Sequence, residues 1–116
     1  MSLYLCIFEN DIDGDELEGV EVGAYSDFAA FRKAINRVLE RGPWGRFPTL
    51  MNHHDSDGSW SPADAAELTN ELRQISEDPG GSIATTFVDV EGQPLVERLR
   101  ALAQLAVQTN RPIWFQ

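Results

Sequence analysis

The stretch from Phe47 to Asp64 constrains the fold of this chain more than any other. It reads FPTLMNHHDSDGSWSPAD, so a short apolar run passes through a polar, turn-rich loop into a helix start at Ser61-Pro62. Serine is a favoured N-cap, proline suits the first helical position, and an acid three residues after the cap approximates a capping box. The stretch therefore predicts a strand over 47–51, a loop, and then a helix, and it separates two strand-and-helix halves.

The hydrophobic pattern predicts the other strands. Residues 3–8 (LYLCIF) are typical of a buried strand, with Cys6 as a small core residue. Residues 17–22 alternate between apolar and polar side chains, which indicates a second strand in a hairpin with the first. Two later runs, 86–90 and 113–115, predict a fourth strand and a terminal strand.

Three segments have the periodicity of amphipathic helices. The first begins at a Ser26 cap and ends before Gly42-Pro43, the second follows Ser61, and the third runs from Pro94 to Asn110. The apolar faces are Phe28, Phe31, Ile35, Val38 and Leu39 in the first helix, Ala65, Leu68, Leu72 and Ile75 in the second, and Leu95, Leu99, Leu102 and Ala106 in the third. The predicted core includes Phe28, Phe31, Leu68, Leu72, Leu99, Leu102 and Trp114.

The element order is therefore β-β-α-β-α-β-α-β. It predicts an α+β fold, a single sheet of about five strands with three helices packed on it, and one domain over residues 1–116. A doubly wound parallel sheet is disfavoured, because the first two strands read as a hairpin and no Gly-rich phosphate loop joins a strand to a helix.

The net charge of −10 is distributed unevenly. Seven acids and no base lie in 9–21, and seven acids against one base lie in 55–78, whereas five of the nine bases lie in 32–46. Binding to a nucleic-acid backbone depends on clustered Lys and Arg, so we expect no nucleic-acid partner. A basic protein is the better partner, although acidity also serves solubility alone.

Cysteine use and hydropathy predict the compartment. Cys6 is the single cysteine, which excludes an intramolecular disulfide and favours a reducing cytoplasm. The first residues have no basic region of the kind that opens a signal peptide, and no apolar run approaches the ~20 residues of a membrane span. We therefore expect no membrane association.

The loop after the third predicted strand contains the groups most suited to a metal ion. His53, His54, Asp55 and Asp57 are ligand types for zinc, manganese or iron, but adjacent histidines converge on one ion only if the backbone bends. Read as a calcium loop, 53–64 has a histidine at position one, which is a poor ligand for a hard cation. A capped helix after an Asp-Gly turn explains the same residues, and we predict no metal and no cofactor here.

Catalytic motifs are missing from the sequence. The segment around Ser59 is not a Gly-x-Ser-x-Gly elbow, and Cys6 has no basic neighbour in sequence to lower its pKa. An enzyme would have to assemble its site from residues distant in sequence. The prediction is that the protein is not an enzyme.

Several blocks, in this order, resemble a family of predicted immunity proteins from bacterial polymorphic toxin systems: LYLCIF, GVEVGAYSDFAAFR, WGRFPTLM, HDSDGSWSP, FVDVEGQPLVERL and RPIWFQ. The resemblance implies an α+β antidote that binds and neutralises a cognate toxin domain, without catalysis or cofactor. We expect the toxin to be a nuclease, since an acidic inhibitor suits a basic cleft. A small metal-binding or regulatory module built on 53–57 is the alternative.

The partner-binding residues that we predict lie in two loops. Our candidates are Asp11, Asp13, Asp15 and Glu16 in the hairpin loop, and His53, Asp55, Asp57 and Trp60 in the central loop. Trp60 has two interpretations, a lid over the core or an anchor in the interface.

Overall fold

A computed structural model describes residues 2–8, 16–37, 47, 49–50, 58–77 and 86–115. The elements in this part of the chain are β1 (Ser2–Phe8), β2 (Glu16–Ala24), α1 (Tyr25–Ile35), β3 (Ser59–Trp60), α2 (Pro62–Ser76), α3 (Leu95–Thr109) and β4 (Ile113–Phe115). The strands form one antiparallel sheet in the order β2-β1-β4-β3. The α+β class with three helices is confirmed, but the described sheet has four strands rather than about five.

The predicted hairpin is present. β1 and β2 pair antiparallel with Leu5 opposite Val20, and the register shifts once near each end of the pair. The other side of β1 pairs with β4, where Leu5 lies opposite Phe115, and β4 in turn pairs with β3. The last strand therefore lies inside the sheet, between the first and the third.

Helix α1 begins two residues earlier than the sequence predicts. Its N-cap is Ala24, whose backbone N–H donates to Asp27 Oδ2 at 2.9 Å, so Ser26 lies in the first turn and is not the cap. An acid in the first turn satisfies a free N–H and interacts favourably with the helix dipole. Phe28, Phe31 and Ile35 are buried, as the apolar stripe predicts, and the rest of that stripe falls outside the described residues.

The start of α2 is the one predicted from Ser61-Pro62. Ser61 Oγ accepts from the Asp64 N–H and Asp64 Oδ2 accepts from the Ser61 N–H, both at 3.1 Å, which completes the capping box. The predicted apolar face of α2 is buried. That of α3 is buried as well, and α3 is capped after Thr109 by Asn110, which adopts the left-handed conformation (φ 55°) favoured at helix C-termini.

Three predictions about strands are wrong. Thr49 and Leu50 are helical, so 47–51 is not the third strand, and β3 follows the central loop instead of preceding it. Segment 86–90 forms only an isolated bridge between Val88 and Pro94. Trp114 is not a core residue, contrary to the prediction for the terminal strand. Alternate side chains of a strand point to opposite faces, so Ile113 and Phe115 are buried while Trp114 is exposed.

The core lies between the helices and one face of the sheet. Leu3, Leu5 and Ile7 of β1 form one buried cluster with the apolar faces of all three helices. α1 and α3 contact β1 and β2, and α3 also contacts β4. The helices therefore cover the face of the sheet to which the odd-numbered residues of β1 point.

Two buried carboxylates attach connecting segments to this core. Glu71 of α2 accepts from the backbone N–H groups of Leu50, at 3.0 Å, and Thr49, at 3.2 Å. Asp89 accepts from two backbone N–H groups of its own turn and pairs with Arg98 of α3 at 3.0 Å. Each acid replaces the water that its partners lose on burial.

Candidate partner-binding surface

The side of the sheet opposite the helices carries a set of aromatic and acidic side chains. Strand alternation and the pairing register place Tyr4, Cys6, Phe8, Glu16, Gly19, Glu21 and Trp114 on it, and we call this side the open face. Tyr4 lies opposite Glu21, and Cys6 lies between Gly19 on one side and Trp114 on the other. Glu16 and Glu21 are exposed, and Tyr4 and Phe8 are half-buried.

Tyr4 is held in place on the open face by two contacts. Its hydroxyl donates to Glu16 Oε2 at 2.6 Å, a short bond of the kind that carboxylates form. Its ring lies over Gly19, where a β-carbon would collide with the phenol. The hydrogen bond to Glu16, followed by burial and nearby negative charge, raises the pKa of Tyr4 from 10 to about 12, so the phenol keeps its proton, and with it this bond, into the alkaline range.

Trp114 is the exposed tryptophan of the described chain, with 36% of its surface accessible. It lies on β4, an interior strand of the sheet, directly opposite Cys6. Cys6 is only 1% exposed, and its burial, with a smaller effect of Glu16, raises the pKa of the thiol to about 11. The thiol is therefore protonated at neutral pH and is no candidate for a reactive thiolate.

Trp60, a predicted partner-binding residue, lies in the core. It is 1% exposed, its indole N–H donates to Thr49 O at 3.1 Å, and its ring packs edge-on against Phe115 with 4.7 Å between centroids. A side chain placed in this way covers the core, which is the lid interpretation. It has no surface to offer a partner in this conformation.

The structure describes one of the other predicted residues, Glu16. Asp11, Asp13, Asp15, His53, Asp55 and Asp57 lie outside the described residues, as does His54. Glu16 is exposed at the start of β2, on the open face.

The sequence analysis did not predict Tyr4, Glu21 and Trp114 as surface residues of one face of the sheet. A signal for Tyr4 was present in LYLCIF, where it alternates with Leu3 and Leu5 and so points to the other face. The three residues of β4 are too few to show which alternate set is buried.

The part of the chain that the structure describes contains neither a metal-binding cluster nor a membrane-spanning helix. No three His, Cys, Asp or Glu side chains there are grouped closely enough to hold a metal ion. No described helix has the length and hydrophobicity needed to cross a bilayer.

The described chain is thus a small α+β protein whose helices cover one face of an antiparallel sheet and whose other face presents aromatic and acidic side chains. The family model for Immunity protein 70 matches residues 3–78, and the chain belongs to that family. The match includes β1 to α2 and ends before α3. The resemblance drawn from the sequence blocks is confirmed, whereas neither curated proteins nor solved structures gave a match.

Proposed function

We propose that this protein binds the toxin domain of a bacterial polymorphic toxin system and neutralises it by forming a tight complex. Membership of the Immunity protein 70 family, over residues 3–78, is the observation that carries the proposal. The protein acts by binding alone, without a cofactor and without turning over a substrate. Its place of action is the cytoplasm of the cell that the toxin would otherwise kill.

The charge of the chain supports a basic partner. With a formal net charge of −10, the protein attracts a basic domain over several ångströms before contact, which raises the association rate. Toxins that cleave nucleic acid need a basic cleft for the phosphate backbone. We therefore propose a nuclease domain as the toxin, with acids of this protein occupying the region where the nucleic acid would bind.

Co-expression tests the function. The toxin domain encoded beside the gene for this protein is induced in cells with and without the protein, and survival is scored. We expect death without the protein and growth with it. Survival without the protein, or death despite soluble and folded protein, contradicts the immunity function.

The salt dependence of binding tests the electrostatic part. Raising the salt concentration from about 0.05 to 0.5 M shortens the screening length severalfold, so the association rate should fall by more than the dissociation rate rises. A salt-independent association rate would refute steering by charge while leaving the immunity function intact. Nuclease activity of the purified toxin domain is measured separately, on RNA and on DNA.

A further inference from the structure

We propose that the open face is the surface that docks the toxin domain, and that its occupant is a basic patch containing at least one arginine. This inference rests on the proposed function, because it needs a cognate toxin domain as the partner. It adds the place on this fold where the partner binds and the side-chain chemistry that the place selects.

Exposed aromatic surface is the first observation. Trp114 has 36% of its surface accessible although it lies on an interior strand of the sheet, between β1 and β3. Tryptophan and tyrosine are enriched among the residues that contribute most to binding, near the centre of interfaces. By the spacing of strands, the backbone of Trp114 is roughly 10 Å from that of Gly19, over which the Tyr4 ring lies. The two aromatic side chains therefore fit within one small interface.

The charge on this face is the second observation. Glu16 and Glu21 are exposed there, and the strand residues that the structure describes on this face include no base. A guanidinium group both stacks on an aromatic ring and pairs with a carboxylate, whereas an ammonium group is more strongly hydrated and lacks the planar shape. A surface that places carboxylates beside Tyr4 and carries the exposed Trp114 two strands away from them thus favours arginine over lysine.

Rigidity is the third observation. Tyr4 is fixed by its bond to Glu16 and by its contact with Gly19, and Trp114 projects from paired backbone. Side chains that are already ordered lose little conformational entropy when they bind, so more of the contact energy remains as affinity. The buried thiol of Cys6 between them adds no charge that would oppose a cation.

One competing surface among the described residues is a groove between α2 and α3. Its volume is about 440 Å³ and it is lined by Ala66, Thr69, Gln104, Val107 and Gln108, which are all uncharged. It has no charge complementarity to a basic partner. Exposed residues on these helices therefore serve as matched controls.

The test measures binding of the purified toxin domain to variants of the full chain. Trp114→Ala should raise Kd by about 30-fold or more, as expected for a central aromatic anchor, while Trp114→Tyr, which keeps an aromatic face, should recover most of the affinity. Val107→Ala removes exposed apolar surface from the helical groove and should leave Kd within about threefold.

A charge reversal gives a second comparison that does not alter the aromatic residues. Glu21→Lys on the open face and Glu67→Lys on α2 change the net charge by the same amount, and both wild-type side chains are exposed. We expect Glu21→Lys to raise Kd at least about tenfold more than Glu67→Lys does. A lysine in contact with a basic partner repels it strongly, whereas salt screens the repulsion from a lysine farther away. Melting curves identify any variant that does not fold, and the charge pair decides the matter if Trp114→Ala is one of them.

The outcomes separate this inference from the function on which it rests. If the wild type binds and protects but the open-face variants match their controls, the docking site is wrong and the function stands. If the wild type neither binds nor protects, both are wrong. Arginine-specific labelling of the toxin domain completes the test: at least one arginine should be shielded in the complex, and equal labelling of every arginine with and without this protein would refute the choice of occupant.

Discussion

Replacing Glu71 should destabilise the protein more than replacing an exposed acid does. The buried Glu71 carboxylate binds the backbone of the Thr49-Leu50 segment, which no exposed acid of α2 does in the described chain. The side chain is only 4% exposed and accepts from the N–H groups of Leu50 and Thr49. Hydrogen bonds to a charged group contribute about 1.5–3 kcal/mol each, and an orphaned buried donor is costly. Leu50 is fully buried, whereas Thr49 is part-buried and can regain water. We therefore expect Glu71→Ala to lower the free energy of unfolding by about 3 kcal/mol.

The assay is urea unfolding followed by circular dichroism. Glu71→Gln keeps one acceptor oxygen but turns an NH₂ group toward the second donor, so it should cost about half as much as Glu71→Ala. The control is Glu67→Ala on the exposed side of the same helix, which should stay within about 0.5 kcal/mol of the wild type. A Glu71→Ala cost below about 0.5 kcal/mol would show that these two bonds do not support the fold.

Trp60 provides a second test of the same reasoning. Its indole N–H donates to Thr49 O, while Glu71 accepts from the N–H groups of Thr49 and Leu50. Trp60 and Glu71 therefore bind the same two backbone residues. Trp60→Phe and Glu71→Ala should therefore be non-additive, with a coupling energy of about 0.5–1 kcal/mol in a double-mutant cycle. Strict additivity would mean that the two side chains act on separate parts of the structure.

Three further predictions concern buried or hydrogen-bonded side chains. Phe31→Ala should cost about 3–5 kcal/mol in urea unfolding, since the ring is fully buried between Phe28 and Phe87, and a cost below about 1 kcal/mol would mean that the ring is not packed as described. The raised pKa of Tyr4 means that the folded protein keeps a proton that the unfolded chain releases near pH 10, so the free energy of unfolding should fall as the pH rises from about 10 to about 12. Tyr4→Phe should flatten this fall, and an unchanged dependence of the unfolding free energy on pH would contradict the Tyr4–Glu16 bond. Cys6 should react with a thiol reagent at pH 8 only as fast as the protein opens, and immediately in urea; rapid labelling of the folded protein would contradict its burial.

The elements that the sequence predicted correctly are those with strong local signals. The start of α2 follows from Ser61, Pro62 and Asp64, because each suits its position whatever the tertiary context. The apolar faces of α2 and α3 follow from helical spacing sustained over about three turns. The hairpin follows from an apolar run over 3–8 and an alternating run over 17–22, separated by a polar loop.

The failures occur where local signals are short. Segment 47–51 is a brief apolar run, and such a run does not distinguish a buried strand from a buried helical turn, as Leu50 shows. Trp114 was assigned to the core by its hydrophobicity, yet the pleat of β4 buries Ile113 and Phe115 instead.

The open face could not be predicted for a different reason. The Tyr4–Glu16 bond depends on pairing across twelve residues and on a register shift next to Phe8, which local sequence does not specify. The charge pattern predicts Glu16 as a surface acid of the hairpin loop, and the structure has it exposed at the start of β2, but its part in partner binding stays a prediction. The other predicted acids of the two loops remain predictions.

The position of β4 within the sheet also affects the rate of folding. Leu5 pairs with Val20 through a short hairpin but with Phe115 across almost the whole described chain. Closing so long a loop lowers the chain entropy before the new contacts form to compensate, so folding slows as the sequence separation of the contacting residues grows. Until β4 arrives, one edge of β1 has unpaired N–H and C=O groups, a template for another chain. Any partly folded form in which β4 is detached exposes this edge, so stabilising the pairing of β4 should reduce aggregation even where it adds little to equilibrium stability.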